Sequence, residues 1–253
     1  MPHQLRRIIG INLRNPKSDL PSLHIAELNP RGGIIAAGEN GVGKTTFLRL
    51  LPLFYGATPT QILRGTGLVS LVKHTLPDPS SAVAYEYERH TEEEVRCVVM
   101  HCHPDKDAPQ FMIVEGPFEQ RFFVDEQGEF VRREEFKARV EAMGFAVSRI
   151  LSLSEWRAVV LKEGAQTKDS AQLRDLAHVH SLGPKSLHGL DQIAASMANE
   201  RLSFRDLQNI VLDRVMDSRG EDAPKQNTRE LKQSREAVTG WLENREHLVR
   251  LRD

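Results

Sequence analysis

The sequence has almost no cysteine. Cys97 and Cys102 are its only two, five positions apart. No disulfide framework can be built from them, which suits a reducing compartment and leads us to expect a cytoplasmic protein. No apolar run approaches the roughly 20 residues that cross a bilayer, and Met1-Pro2-His3-Gln4-Leu5-Arg6-Arg7 lacks a secretory apolar core after its basic residues. No membrane partner is therefore expected. Net charge is missing as well. With 34 Lys and Arg against 35 Asp and Glu the balance is −1, so no global basic field draws the chain to nucleic acid, and any such contact needs a local patch. We find neither an internal repeat nor a low-complexity tract. What remains, 40% apolar and 27% charged residues over 253 positions, is the composition of a globular protein with one large domain or two small ones.

One stretch organises the rest. Gly38-Glu39-Asn40-Gly41-Val42-Gly43-Lys44-Thr45-Thr46 fits the phosphate-binding pattern G-x-x-x-x-G-K-[ST] at every fixed position. Upstream, Gly33-Ile34-Ile35-Ala36-Ala37 is a short apolar run without alternation, as a buried strand requires. Downstream, Thr46-Phe47-Leu48-Arg49-Leu50-Leu51 begins an apolar helical run. Strand, glycine loop and helix follow in the order that a polyphosphate site needs. The glycines let several backbone N–H groups converge, and the helix dipole adds positive potential. Lys44 can reach the β- and γ-phosphates of ATP as a point charge, and the Thr45 hydroxyl can ligate Mg²⁺.

Residues 4–14 read as a first strand, with Ile8, Ile9, Ile11 and Leu13 apolar. Arg6, Arg7, Arg14 and Lys17 make this end locally basic, either as a solvated edge or as a contact for phosphate. Leu23–Leu28 alternates, as a half-exposed strand does. The helix after the glycine loop is apolar almost all round and is expected to be buried, with Pro52 kinking or ending it and Gly56 as its stop. Arg64 follows among small residues; it is an ordinary surface arginine or a phosphate contact across an interface.

Residues 81–125 alternate and predict four strands of an antiparallel meander, near 81–89, 95–103, 111–115 and 121–125. His101, Cys102 and His103 invite a metal reading, but alternation places the histidines on one face and the cysteine on the other, and no second cluster follows. Glu129–Met143 reads as a helix closed by Gly144. Residues 145–166 predict a short strand and a helical turn, then a polar loop holding Gln166, a possible γ-phosphate sensor. Residues 169–226 are mostly helical, and 227–253 form a mixed-charge helix, the root of a coiled coil or a cap on the domain.

A hydrolysing phosphate-loop enzyme also needs a carboxylate at the end of a second buried strand. Glu115 and Asp213 follow apolar residues, yet the first sits in the meander and the second in a helical period. There is no Leu-Ser-Gly-Gly-type signature. The residues alone leave open a self-contained small kinase or NTPase, in which Glu115 or Asp213 is essential, and a nucleotide-binding adaptor module.

The run from Leu5 to Gly56 resembles the N-terminal half of SMC-type ATPase heads. Asn12-Leu13-Arg14 is similar to the family's Asn-Phe-Arg/Lys after its first strand, the glycine loop to its Gly-x-Asn-Gly-x-Gly-Lys-[Ser/Thr], and Ile62-Leu63-Arg64-Gly65 to the loop bearing its arginine finger. Residues 57–65 and 76–87 look closest to the MukB/MksB-like branch found in Wadjet anti-plasmid systems. The resemblance implies an α/β P-loop NTPase lobe over residues 1–226 with an antiparallel meander and a helical section, and the start of a coiled-coil helix at 227–253. It implies ATP and Mg²⁺ as ligands. Glu39, Asn40, Gly41, Val42, Gly43, Lys44, Thr45, Thr46 and Arg14 would hold ATP, Thr45 the metal, Arg64 would act at a head interface, and Gln166 would be the Q-loop glutamine. It further implies that the signature motif and magnesium carboxylate lie in a C-terminal half beyond an inserted coiled coil. The implied partners are that half, a second head, kleisin and kite-like subunits, and DNA without sequence preference.

Overall fold

In this computed structural model the structure describes residues 4–14, 22–27, 44–63, 68–89, 91–163, 170–183, 186–187 and 189–198. The predicted strand at 33–37, the helices beyond residue 198 and the boundary at 226/227 lie outside them.

Six strands make one antiparallel sheet: β1 (Gln4–Ile11), β2 (Leu23–Glu27), β3 (Ala82–Arg89), β4 (Thr91–Cys102), β5 (Pro109–Val114) and β6 (Leu151–Ser152), in the order β2-β1-β3-β4-β5-β6. The alternation read at 82–114 is realised as the β3-β4-β5 meander. The first strand, however, is no solvated edge. It lies between β2 and β3 and pairs with both. A register shift between Leu5 and Arg7 lifts Arg6 out of the alternation, so that Leu5 and Ile8 point to the same side.

Both faces of the sheet are covered. On one, Leu5, Ile8, Val83, Tyr85, Tyr87, Met100, Phe111 and Ile113 form a core with α1 (Lys44–Phe54), α2 (Pro59–Leu63) and α5 (Leu153–Val160). On the other, Ile9, Ile11, Ala84, Val99, Met112 and Val114 pack with Phe118, Phe122, Phe123, Phe136 and Val140, the last two from α4 (Arg133–Ala142). A short helix α3 (Val72–Thr75) and, later in the chain, α6 (Ser170–His180) and α7 (Leu190–Met197) complete the elements described.

Two expectations are corrected here. Residues 121–125 do not form a strand: Gln120–Phe122 is a single 3-10 turn. Phe122 and Phe123, adjacent in sequence, are both buried at 1% exposure or less and pack into the core on one side of the sheet. The helix expected from Glu129 starts only at Arg133. Asp125 is the reason. Its carboxylate accepts from the N–H of Gln127 and of Glu129, Gly128 takes φ +87, and Val124 bridges to Phe130, so the segment turns back as a small hairpin first.

Candidate functional site

Lys44 is the first residue of α1, where the phosphate-binding pattern requires its helix to begin. The loop residues Glu39 to Gly43 lie outside the described residues, as does the Lys44 side chain. The helix that follows them is firmly held. Leu50, Leu53 and Phe54 are buried at 1% exposure or less. The Tyr85 hydroxyl donates to the Leu50 carbonyl at 2.7 Å, and Trp156 Nε1 donates to the Phe54 carbonyl at 2.9 Å. Phe54 sits among the rings of Tyr55, Tyr85, Tyr87 and Trp156, at centroid distances of 5.1–5.9 Å. Pro52 is accommodated inside the helix, which runs on to Phe54, and Gly56 at φ +78 closes it. Burial is not all-round, as the composition suggested. Thr45 is exposed and Leu48 is 50% exposed, although Leu50, Leu53 and Phe54 share a core with the sheet and with Ala195 of α7. The first turn carries no acidic residue, so nothing in it opposes an anion at the positive end of the helix. An exposed Thr45 hydroxyl leaves that oxygen accessible for Mg²⁺.

Arg14 is set by a small knot of polar groups. Asn12 adopts φ +45; its N–H donates to the Ser22 carbonyl, its side-chain amide to Ser80 Oγ at 2.7 Å, and its carbonyl accepts from Ser81 Oγ at 2.6 Å. Asp78 fixes the other half of the knot, accepting from the N–H and the hydroxyl of Ser80. These bonds hold its carboxyl below the usual range. The Arg14 N–H then donates to the Thr75 carbonyl at 3.0 Å, and its guanidinium extends outward beside His74 Nδ1 at 3.3 Å. Among the described residues no carboxylate pairs with Arg14. Leu13 turns inward instead, onto the same core as Phe47 in the first turn of α1. The Asp-Pro-Ser-Ser stretch at 78–81 is thus the clamp on the strand end that presents Arg14. Sequence reading gave it no such role.

Arg64 and Gln166 lie outside the described residues, but the segments that lead to them are visible. Thr58 and Gln61 cap α2 reciprocally: the Thr58 N–H donates to Gln61 Oε1 at 2.7 Å and the Gln61 N–H to Thr58 Oγ1 at 3.1 Å. Gln61 Nε2 also donates to Asp191 Oδ2 at 3.2 Å, and Arg157 Nη2 reaches the same oxygen at 3.2 Å. Arg157 in turn bonds Glu163 Oε2 at 2.8 Å. One chain of polar contacts therefore joins the helix that precedes Arg64 to the residues that precede Gln166. Arg157 and Asp191 gave no sequence signal; only the Thr58-x-x-Gln61 spacing was available.

The remaining candidates resolve differently. Glu115 is exposed just past β5, with its N–H bonded to the Ala146 carbonyl. Asp213 lies outside the described residues. His101 is 3% exposed and Cys102 8%, and among the described residues no group of three or more His, Cys, Asp or Glu side chains is placed to hold a metal. Of the basic residues at the N-terminal end, Arg7 is ion-paired to Glu86 at 2.6 Å and Arg6 stands 3.8 Å from Glu88. Lys17 lies outside the described residues. Among the described residues of this basic end, Arg14 is the one left without a carboxylate beside it.

The chain belongs to the DUF3584 family, described as proteins of unknown function, whose model matches residues 12–253. That family is associated with SMC- and RecF-like ATPase proteins. No curated protein and no solved structure matches the chain. Among the described residues no helix is long and apolar enough to cross a membrane.

Proposed function

We propose that this chain is the ATP-binding N-terminal half of an SMC-type motor head, of the kind that JetC supplies to Wadjet anti-plasmid systems. One observation carries the reading: the complete glycine-Lys-Thr pattern at 38–46 runs into a helix that opens on Lys44 and is anchored in the core along its length. ATP would sit on the loop N–H groups and Lys44, with Mg²⁺ at Thr45. Arg14, outward-facing and without a carboxylate partner among the described residues, is free to meet phosphate. Engagement of two such heads would sandwich ATP, with Arg64 at the interface and Gln166 near the γ-phosphate, and would drive DNA capture or loop extrusion in a complex with kleisin and kite-like subunits. The DNA part rests on the family resemblance, since Arg7 is neutralised by Glu86.

The test measures ATP binding and turnover by this chain, alone and mixed with a C-terminal head half, with Lys44→Ala as control. Binding alone with turnover only in the mixture is the expected result, and Lys44→Ala abolishes both. Robust turnover by this chain alone overturns the reading and favours a self-contained NTPase. In that case Glu115→Gln and Asp213→Asn become the variants to make.

A further inference from the structure

The short helix α3 is firmly seated beside the strand end that carries Arg14. Leu71, Val72, Thr75 and Leu76, in and around it, are buried at 3% exposure or less. The Lys73 N–H donates to Asp107 Oδ1 at 2.7 Å and the His74 N–H to Ser70 Oγ at 3.2 Å. His74, which is exposed, is thus presented from a well-tied backbone. Arg14 meets two successive residues of this helix. Its N–H donates to the Thr75 carbonyl at 3.0 Å, and its Nη1 stands 3.3 Å from His74 Nδ1.

The ring gives the guanidinium a direction without taking its charge. A guanidinium can only donate, so Nδ1 accepts and the proton of the neutral ring sits on Nε2. Arg7, held by Glu86 at 2.6 Å, is oriented and neutralised together. Arg14, held by a neutral imidazole, is oriented and keeps its full charge for an anion. A long exposed side chain without such a support must be ordered when its ligand arrives, at an entropic cost to affinity.

We propose that His74 is a positioning residue for ATP: it does not touch the nucleotide, and it holds the Arg14 guanidinium extended and charged for a phosphate oxygen. This role rests on the ATP reading above, in which Arg14 meets phosphate, and adds to it a residue 30 positions beyond Lys44.

The experiment titrates the full chain with ATP in the presence of Mg²⁺ and compares dissociation constants. His74→Leu is expected to weaken ATP binding about three- to tenfold, the worth of ordering one long side chain on binding. Arg14→Ala is expected to weaken it at least as much, and His74→Leu added to Arg14→Ala to cost nothing further. His74→Asn, whose Oδ1 stands where Nδ1 does and can accept from Arg14, is expected to recover most of the loss. Unchanged affinity in His74→Leu, losses from His74→Leu and Arg14→Ala that multiply, or a His74→Asn chain as weak as His74→Leu overturns the proposal and leaves the ATP reading standing. No ATP binding by the parent chain, or binding indifferent to Lys44→Ala, overturns the ATP reading and the role of His74 with it.

Discussion

Arg7 and Glu86 stand directly opposite each other on β1 and β3, and the guanidinium meets the carboxylate on both oxygens, at 2.9 and 2.6 Å. Glu86 is 2% exposed and accepts a third hydrogen bond, from the Phe118 N–H at 2.8 Å. Arg7 also lies over the Phe118 ring, 5.8 Å from its centroid. The pair therefore ties two central strands to the segment that follows β5. Removing one partner strands a buried charge, which costs far more than the pair contributes. Arg7→Leu should lower unfolding stability by about 2–4 kcal/mol, toward the low side of the range for buried pairs because the arginine is partly solvated. Arg7→Leu combined with Glu86→Leu should lose less than Arg7→Leu alone. Urea unfolding of both variants and of the parent checks this, and equal losses would show that the pair is not the cause.

That pair also shows where sequence reading stops. The helix that opens on Lys44 was legible because its signal is local: a fixed motif followed by an apolar run. The β3-β4-β5 meander was legible from alternation. Alternation, however, says which residues share a face and not whether that face is wet. Glu86 alternates with Tyr85 and Tyr87 and reads as an outward residue, yet both faces of this sheet are covered. Its partner lies 79 positions away, beyond any local pattern. The same limit explains Arg6 and Arg7, which look like a basic patch in sequence and are matched by Glu88 and Glu86 in the sheet. The clamp of Asp78 and Ser80 on Asn12 and the chain from Gln61 through Asp191 to Arg157 are long-range in the same way.

Stability should depend on His101 in mild acid. Burial is the main cause that lowers its pKa from 6.5 to about 4, opposed by the hydrogen bond to the Ser81 carbonyl. The unfolded chain protonates this ring near pH 6.5 and the folded protein does not until about pH 4. The unfolded state thus binds the extra proton in that window. Its contribution is fully present above pH 6.5 and is lost progressively as pH falls toward 4, by about 1.4 kcal/mol per pH unit. Between pH 6.5 and 5 the parent should lose about 2 kcal/mol that His101→Phe does not lose. Unfolding curves at the two pH values decide it, and parallel losses in parent and variant would exclude His101 as the source.

Gly56 and Arg157 make a sharper comparison, because a second glycine serves as control. Gly56 takes φ +78, and a Cβ there would stand 2.6 Å from Arg157 Cγ. Gly128 takes φ +87 with nothing within 4 Å of its Cβ position. Alanine at either site carries the left-handed penalty of about 1–2 kcal/mol. At Gly56 it must also push Arg157 aside, and Arg157 is the residue that holds Asp191 and Glu163. Asp191 is 2% exposed in its side chain, so a displaced guanidinium leaves a buried carboxylate poorly compensated. Gly56→Ala should therefore cost about 1–3 kcal/mol more than Gly128→Ala. Because the same contacts tether the segments leading to Arg64 and Gln166, only Gly56→Ala should also raise proteolytic cleavage near residues 58–64 and 162–169 under native conditions. Limited proteolysis with mass mapping of both variants reads this directly. Matching stability and cleavage in the two variants would mean that Arg157 yields to the new methyl group without releasing its partners.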